Sequence, residues 1–237
     1  MWVGHFASGL IAKPFTPNTP LWVLTFAGAF PDALHFVLNF INIESFNFDP
    51  TLAKRGCFPY SNDYAWSHSA VGMIVAGLAY VAIYSALTDR KVTFKDQAIL
   101  FATVFSHFFL ELPVHRPGKS LNNPSRNVLT APTDVKITPN DDIALGASLF
   151  DHRFITFLLE TTLVWVSFMV FNKMTPISAK GGVMRNPNLS NYLLAMLVAE
   201  QAFFCWGSAP TTNSKYIHAP MFLGQILFTC FMLGKLD

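Results

Sequence analysis

Five apolar stretches, residues 21–41, 69–88, 97–113, 154–172 and 190–207, recur along this sequence, and a shorter aromatic one follows at 220–234. A helix needs about 20 mainly apolar residues to cross a bilayer, so most of these segments have the length of a span. An earlier run, residues 2–12, is too short and is broken by Lys13, Pro14, Pro17 and Pro20. It is expected to form a half-helix. Charge content points the same way: 13% of the 237 residues are charged and 52% are hydrophobic. The mean hydropathy is +0.38, and a soluble domain carries roughly 25% charged residues. The predicted fold is therefore all-α, a polytopic transmembrane helix bundle of about six spans plus the N-terminal half-helix. The whole chain, 1–237, reads as a single integral membrane domain, multi-pass, with the membrane itself left open.

The connecting segments narrow the partners. Residues 42–67 are mixed and polar, "TDRKVTFKD" (88–96) is a tight basic turn, and 114–152 is the longest loop. Long loops are often functional, so 114–152 is expected near the mouth of any site. Its Asp134, Asp141, Asp142 and Asp151 either serve that site or only solvate the loop. A net charge of +2 is too small for nucleic-acid binding, and membrane lipids are the expected partners. The three cysteines, Cys57, Cys205 and Cys230, form no CxxC pair, so neither a disulfide framework nor a zinc-finger cage is indicated. The N-terminal stretch lacks the basic region and cleavage site of a signal peptide and is expected to stay on the mature chain.

Against this apolar background the ionisable residues stand out. "SHFFLELPVHRP" (106–117) places His107, Glu111 and His115 four residues apart, on one face of a helix. Asp32 and His35 interrupt the first long segment in "GAFPDALHFV", and His68 opens the next in "YAWSHSAV", between Ser67 and Ser69. Glu160 and Glu200 lie in later segments. Intramembrane ionisable groups are costly, usually face the bundle interior, and mark functional sites. His5 joins them by depth: it lies eight residues before Lys13, and Asp32 lies eleven after Leu21. In an antiparallel hairpin the two would reach similar heights. One layer near one membrane face can then collect His5, Asp32, His35, His68, His107 and Glu111.

Neutral imidazoles with carboxylates suit a divalent metal, zinc first, with iron or manganese also compatible. Such a metal lowers the pKa of coordinated water, which is the physical case for hydrolysis. The six residues are the candidate metal ligands, Glu111 and His115 the candidate catalytic groups, and Arg116 and Ser69 the candidate substrate contacts. The planar fork of Arg116 suits a phosphate or carboxylate, but equally suits a headgroup anchor. His35 and His115 read equally as hydrogen-bonded residues near helix ends, and Glu160 and Glu200 as carboxylates paired with Lys, Arg or backbone.

Four motifs occur in order: "GHFASG", "PDALH", "SHS" and "SHFFLELPVHRP". Together they resemble the bacterial membrane-bound metal-dependent hydrolase family, small polytopic membrane proteins, over residues 1 to about 172. The resemblance implicates His5, Asp32, His68 and His107, with Glu111 where the family more often has an Asp. Two positions depart from the family pattern. His35 stands near where a second acidic residue is usual, and Asp63 and Tyr64 occupy the neighbourhood of a basic one. The implied activity is metal-dependent hydrolysis of an amphipathic, lipid-like substrate at the membrane interface. The residues alone also accommodate a proton- or ion-coupled transporter, or a noncatalytic membrane scaffold. Oligomeric state is open.

Overall fold

The computed structural model describes residues 2–119, 135–141, 143–208, 211 and 213–237. Asp134 and Asp142 of the predicted loop lie outside these residues. The chain is mostly helical, 67% helix and 7% strand. In order, the elements are α1 (Gly4–Ala12), α2 (Leu21–Phe40), β1 (Ser45–Phe48), α3 (Pro50–Ala53), β2 (Tyr60–Asp63), α4 (Ala70–Leu87), α5 (Phe94–Glu111), β3 (Gly118–Lys119), β4 (Ile143–Ala144), α6 (Arg153–Met174), α7 (Gly181–Arg185), α8 (Leu189–Trp206) and α9 (Lys215–Leu233).

Among the described residues, four helices are long and apolar enough to cross a membrane: α2, α4, α6 and the run Lys215–Leu236 that begins with α9. The expected six is not reached, although every predicted segment is a helix. Lys95, Asp96 and Glu111 lower the hydropathy of α5, and Ser190, Asn191, Glu200 and Gln201 lower that of α8. The four helices carry outward-facing apolar residues, such as Val75 and Leu78 on α4 and Phe228 and Phe231 on α9. Exposed apolar faces of this kind suit lipid.

Helix α2 is the central one: 61% of its apolar window is buried, against 33% for each of the other three. It packs against α1, α4, α5 and α9, while α1 also contacts α5 and α6. The half-helix α1 is thus wedged inside the bundle. Two glycines allow this. A Cβ at Gly9 would meet the Thr25 backbone, and one at Gly28 would meet the His5 carbonyl and Ser8 Oγ. Small residues let helix backbones approach closely. The turn between α1 and α2 is pinned by Lys13, whose Nζ donates to the Pro17 and Thr19 carbonyls and pairs with Asp237 Oδ1 at 2.8 Å.

Helix ends explain how the polar residues are presented. Ser69 caps α4 by accepting from Gly72 N–H at 3.1 Å, and the Lys136 and Ile137 carbonyls accept from Ala70 and Val71 N–H. A loop strand thereby satisfies donors that a helix start leaves open. Helix α5 begins with a reciprocal capping box between Thr93 and Asp96 and stops before Pro113, which has no N–H to give. Strands β1 and β2 pair antiparallel from Ser45↔Asp63 to Phe48↔Tyr60 and return the chain from the end of α2 to the start of α4.

Candidate metal centre

His5 on α1, Asp32 on α2, His68 just before α4, and His107 and Glu111 on α5 lie together in one cluster. His5 Nε2 lies 3.5 Å from Asp32 Oδ2 and 2.6 Å from Glu111 Oε1. Asp32 Oδ1 lies 3.2 Å from His68 Nε2 and 3.6 Å from His107 Nε2. His107 Nε2 is 3.8 Å from Glu111 Oε1. Ligand bonds of about 2.0–2.1 Å in a tetrahedron imply donor separations of about 3.3 Å, so most of these spacings suit one ion. Two overlapping triads, His5–Asp32–His107 and His68–His107–Glu111, each bring their donor atoms within 4.8 Å of one another. These groups, all buried but the half-buried Asp32, could hold a metal ion.

The hydrogen-bonding pattern supports a cation rather than simple pairing. His107 Nδ1 donates to the Gly28 carbonyl at 2.8 Å, and a carbonyl only accepts. The Nε2 of a neutral His107 is therefore a bare lone pair, and it makes no hydrogen bond among the described residues. His68 is fixed the same way. Ser67 Oγ donates to Glu44 Oε2 at 2.7 Å, leaving its lone pairs to accept from His68 Nδ1 at 2.8 Å. Its Nε2 then turns a lone pair toward the Asp32 carboxylate, acceptor against acceptor. Either a cation lies between these groups or the rings take second protons. The His5 and His107 rings stack at 3.7 Å with planes 12° apart, and two buried imidazolium charges face to face would repel. A cation held by these donors would relieve both contacts.

His115 serves the site through Glu111: its Nε2 contacts the second oxygen, Oε2, of that carboxylate. His35 packs edge-on against His68 but turns its Nδ1 to Glu44 Oε2 at 2.7 Å and belongs to neither triad. Ser69 is the α4 cap already described. The Arg116 guanidinium is engaged within the chain, by the Phe58 carbonyl at 3.1 Å and by Asp151 Oδ1 at 2.7–2.8 Å. Glu160 Oε2 accepts from Trp2 and Gly4 N–H at 2.7 and 3.1 Å, capping α1. Glu200 accepts from Thr229 Oγ1 at 3.2–3.3 Å.

Glu44 is the residue that the sequence reading passed over. It is buried just before β1 and gathers three partners besides His35: Trp66 N–H at 2.8 Å, Ser67 N–H at 2.7 Å and Ser67 Oγ. Burial works to raise its pKa, but the His35 and Ser67 hydrogen bonds hold it below the usual carboxylate range. Through Ser67 it fixes the proton on His68, the role outer partners play for metal-ligating histidines. The signal in the sequence was a lone acid among Ile43, Phe46 and Phe48. Tyr64 completes the support by stacking on His68 at 4.2 Å.

A cavity of about 40 Å³ opens onto Asp32, Glu111 and His115. It has room for about one water molecule, whose share of liquid volume is roughly 30 Å³. No family model, curated protein or solved structure matches this chain.

Proposed function

We propose that this chain is an integral membrane, metal-dependent hydrolase acting on an amphipathic, lipid-like substrate at the membrane interface. The observation that carries the reading is the set of histidine lone pairs aimed at buried carboxylates, an arrangement that calls for a cation. Zinc is the proposed ion, and iron or manganese would suit the same donors. His5, Asp32, His68 and His107 would hold it, with Glu111 as a further ligand or as base. When bound, the ion supplies Lewis acidity and a lowered water pKa near neutral pH.

The chain's own groups do the rest. His115 holds one oxygen of Glu111, which orients the other toward His5 and His107. A carboxylate so placed can take a proton from an attacking water. His68 keeps one tautomer because Ser67 Oγ, itself held by Glu44, occupies its far nitrogen. Aromatic walls around the small cavity exclude bulk water. The cluster lies toward one end of the bundle, where α4 begins and α5 stops, which suits a substrate entering from the headgroup region.

The test is hydrolysis of a panel of lipid esters and phospholipids by purified protein, loaded in turn with zinc, iron and manganese. Turnover that requires metal and is lost in His68→Ala/His107→Ala supports the reading. Ion or proton flux in proteoliposomes that depends on Asp32 without added metal would replace it with the transporter reading.

A further inference from the structure

A second cavity, of about 170 Å³, lies between α8 and α9. It shares four residues, Trp2, Tyr60, Phe204 and Phe222, with the small cavity over Asp32 and Glu111. These rings form the partition between the two spaces. Trp2 stacks on Phe204 at 5.9 Å and meets Phe222 edge-on at 5.7 Å. On its other side the larger cavity is bounded by Phe203 and Met221, which are 67% and 43% exposed. It therefore runs from the surface of the bundle to the wall of the candidate metal centre. Its lining is mainly aromatic and apolar, with the Glu200 carboxylate engaged by Thr229.

The inner cavity holds little more than one small polar group. The remainder of any substrate must lie beyond the aromatic partition, and the adjoining space is this apolar cavity. We propose that it is the subsite for the hydrocarbon tail of an amphiphile whose polar group reaches Asp32, Glu111 and His115. The proposal rests on the hydrolase reading above and adds the place where the substrate's apolar part binds. Ligand sites of this kind pair an apolar lining with a few convergent polar groups.

Photo-crosslinking tests it. The protein in lipid nanodiscs is labelled with lauric acid carrying a terminal diazirine, and the adducts are mapped by mass spectrometry. The expected result is adducts on peptides carrying Trp2, Phe204 and Phe222. These should fall severalfold in Met221→Trp and in Ser208→Phe, each of which fills the cavity from a different side. Adducts on Leu78 and Ile83, outward-facing residues of α4, should stay constant and report ordinary lipid contact. Adducts confined to such outward faces, or unchanged in both filled variants, overturn the proposal. Metal content measured on the same samples separates the two readings. Metal-free protein that still gives filler-sensitive adducts keeps the tail subsite and removes the hydrolase. Metal-loaded protein with filler-insensitive adducts does the reverse.

Discussion

Glu160 on α6 and Glu111 on α5 are both buried carboxylates, 0% and 1% exposed, yet they are treated in opposite ways. Glu160 meets hydrogen-bond donors, the Trp2 and Gly4 amides at the start of α1. Glu200, in the same half of the chain, meets the Thr229 hydroxyl. Asp32 and Glu111 instead face the Nε2 atoms of four histidines, and the two nearest Asp32 Oδ1, His68 and His107, have their protons committed elsewhere. Glu160 and Glu200, like Glu44, find donors within the chain, whereas Asp32 faces imidazole nitrogens whose protons lie on the far side of the ring. Burial alone does not mark a site in this protein. The imidazole nitrogens facing Asp32 set its cluster apart.

The contrast is sharpest under metal removal. With free ion at about 1,000 times its Kd, binding contributes about 4 kcal/mol of stability. A chelator is expected to lower the Tm of the wild type and of Glu200→Gln alike, and to leave Asp32→Ala unmoved. An equal chelator response in Asp32→Ala would break the comparison. Glu160→Ala comes next: loss of a buried, charge-assisted cap should cost about 1.5–3 kcal/mol, measured by thermal unfolding with and without metal. Its metal affinity should follow the wild type, because the cap lies outside the donor set.

Glu44→Gln probes the relay behind His68. An amide in place of the carboxylate cannot accept at both oxygens, so Ser67 and His68 lose their fixed proton order. Loss of such an outer partner is expected to weaken metal binding about 10- to 100-fold, read by titration calorimetry. An unchanged affinity would reduce Glu44 to a structural residue. The smallest effect belongs to Arg116→Lys. A lysine cannot reproduce the fork on the Phe58 carbonyl and Asp151, so about 1 kcal/mol of stability should be lost. Metal affinity should not change, and a selective loss of lipid turnover at constant stability would return Arg116 to the substrate.

Much of the helical framework was legible because long apolar runs bounded by Pro and charge leave few alternatives: residues 69–88 and 154–172 are α4 and α6 within two residues at each end. Membrane crossing was less so, since α5 and α8 have the length but carry polar residues that lower their hydropathy. Counting residues from the turn was enough to set His5 and Asp32 at one level, and their side chains lie 3.5 Å apart. The i, i+4 spacing placed His107 and Glu111 together, but it was silent on His115 touching the outer oxygen only. Glu44 was hidden because its partners Trp66 and Ser67 return through the β1–β2 hairpin, a pairing no local pattern predicts. Backbone pairing was among the readings open for Glu160, but its partners Trp2 and Gly4 lie at the far end of the sequence and could not be named from it.

Elemental analysis of purified, detergent-solubilised protein, wild type beside a folded His68→Ala/His107→Ala variant, asks whether the cluster binds an ion. About one divalent ion per chain is expected in the wild type and little in the variant, as befits a shared N/O donor set. Wild-type protein that stays metal-free after loading with zinc, iron and manganese would contradict it.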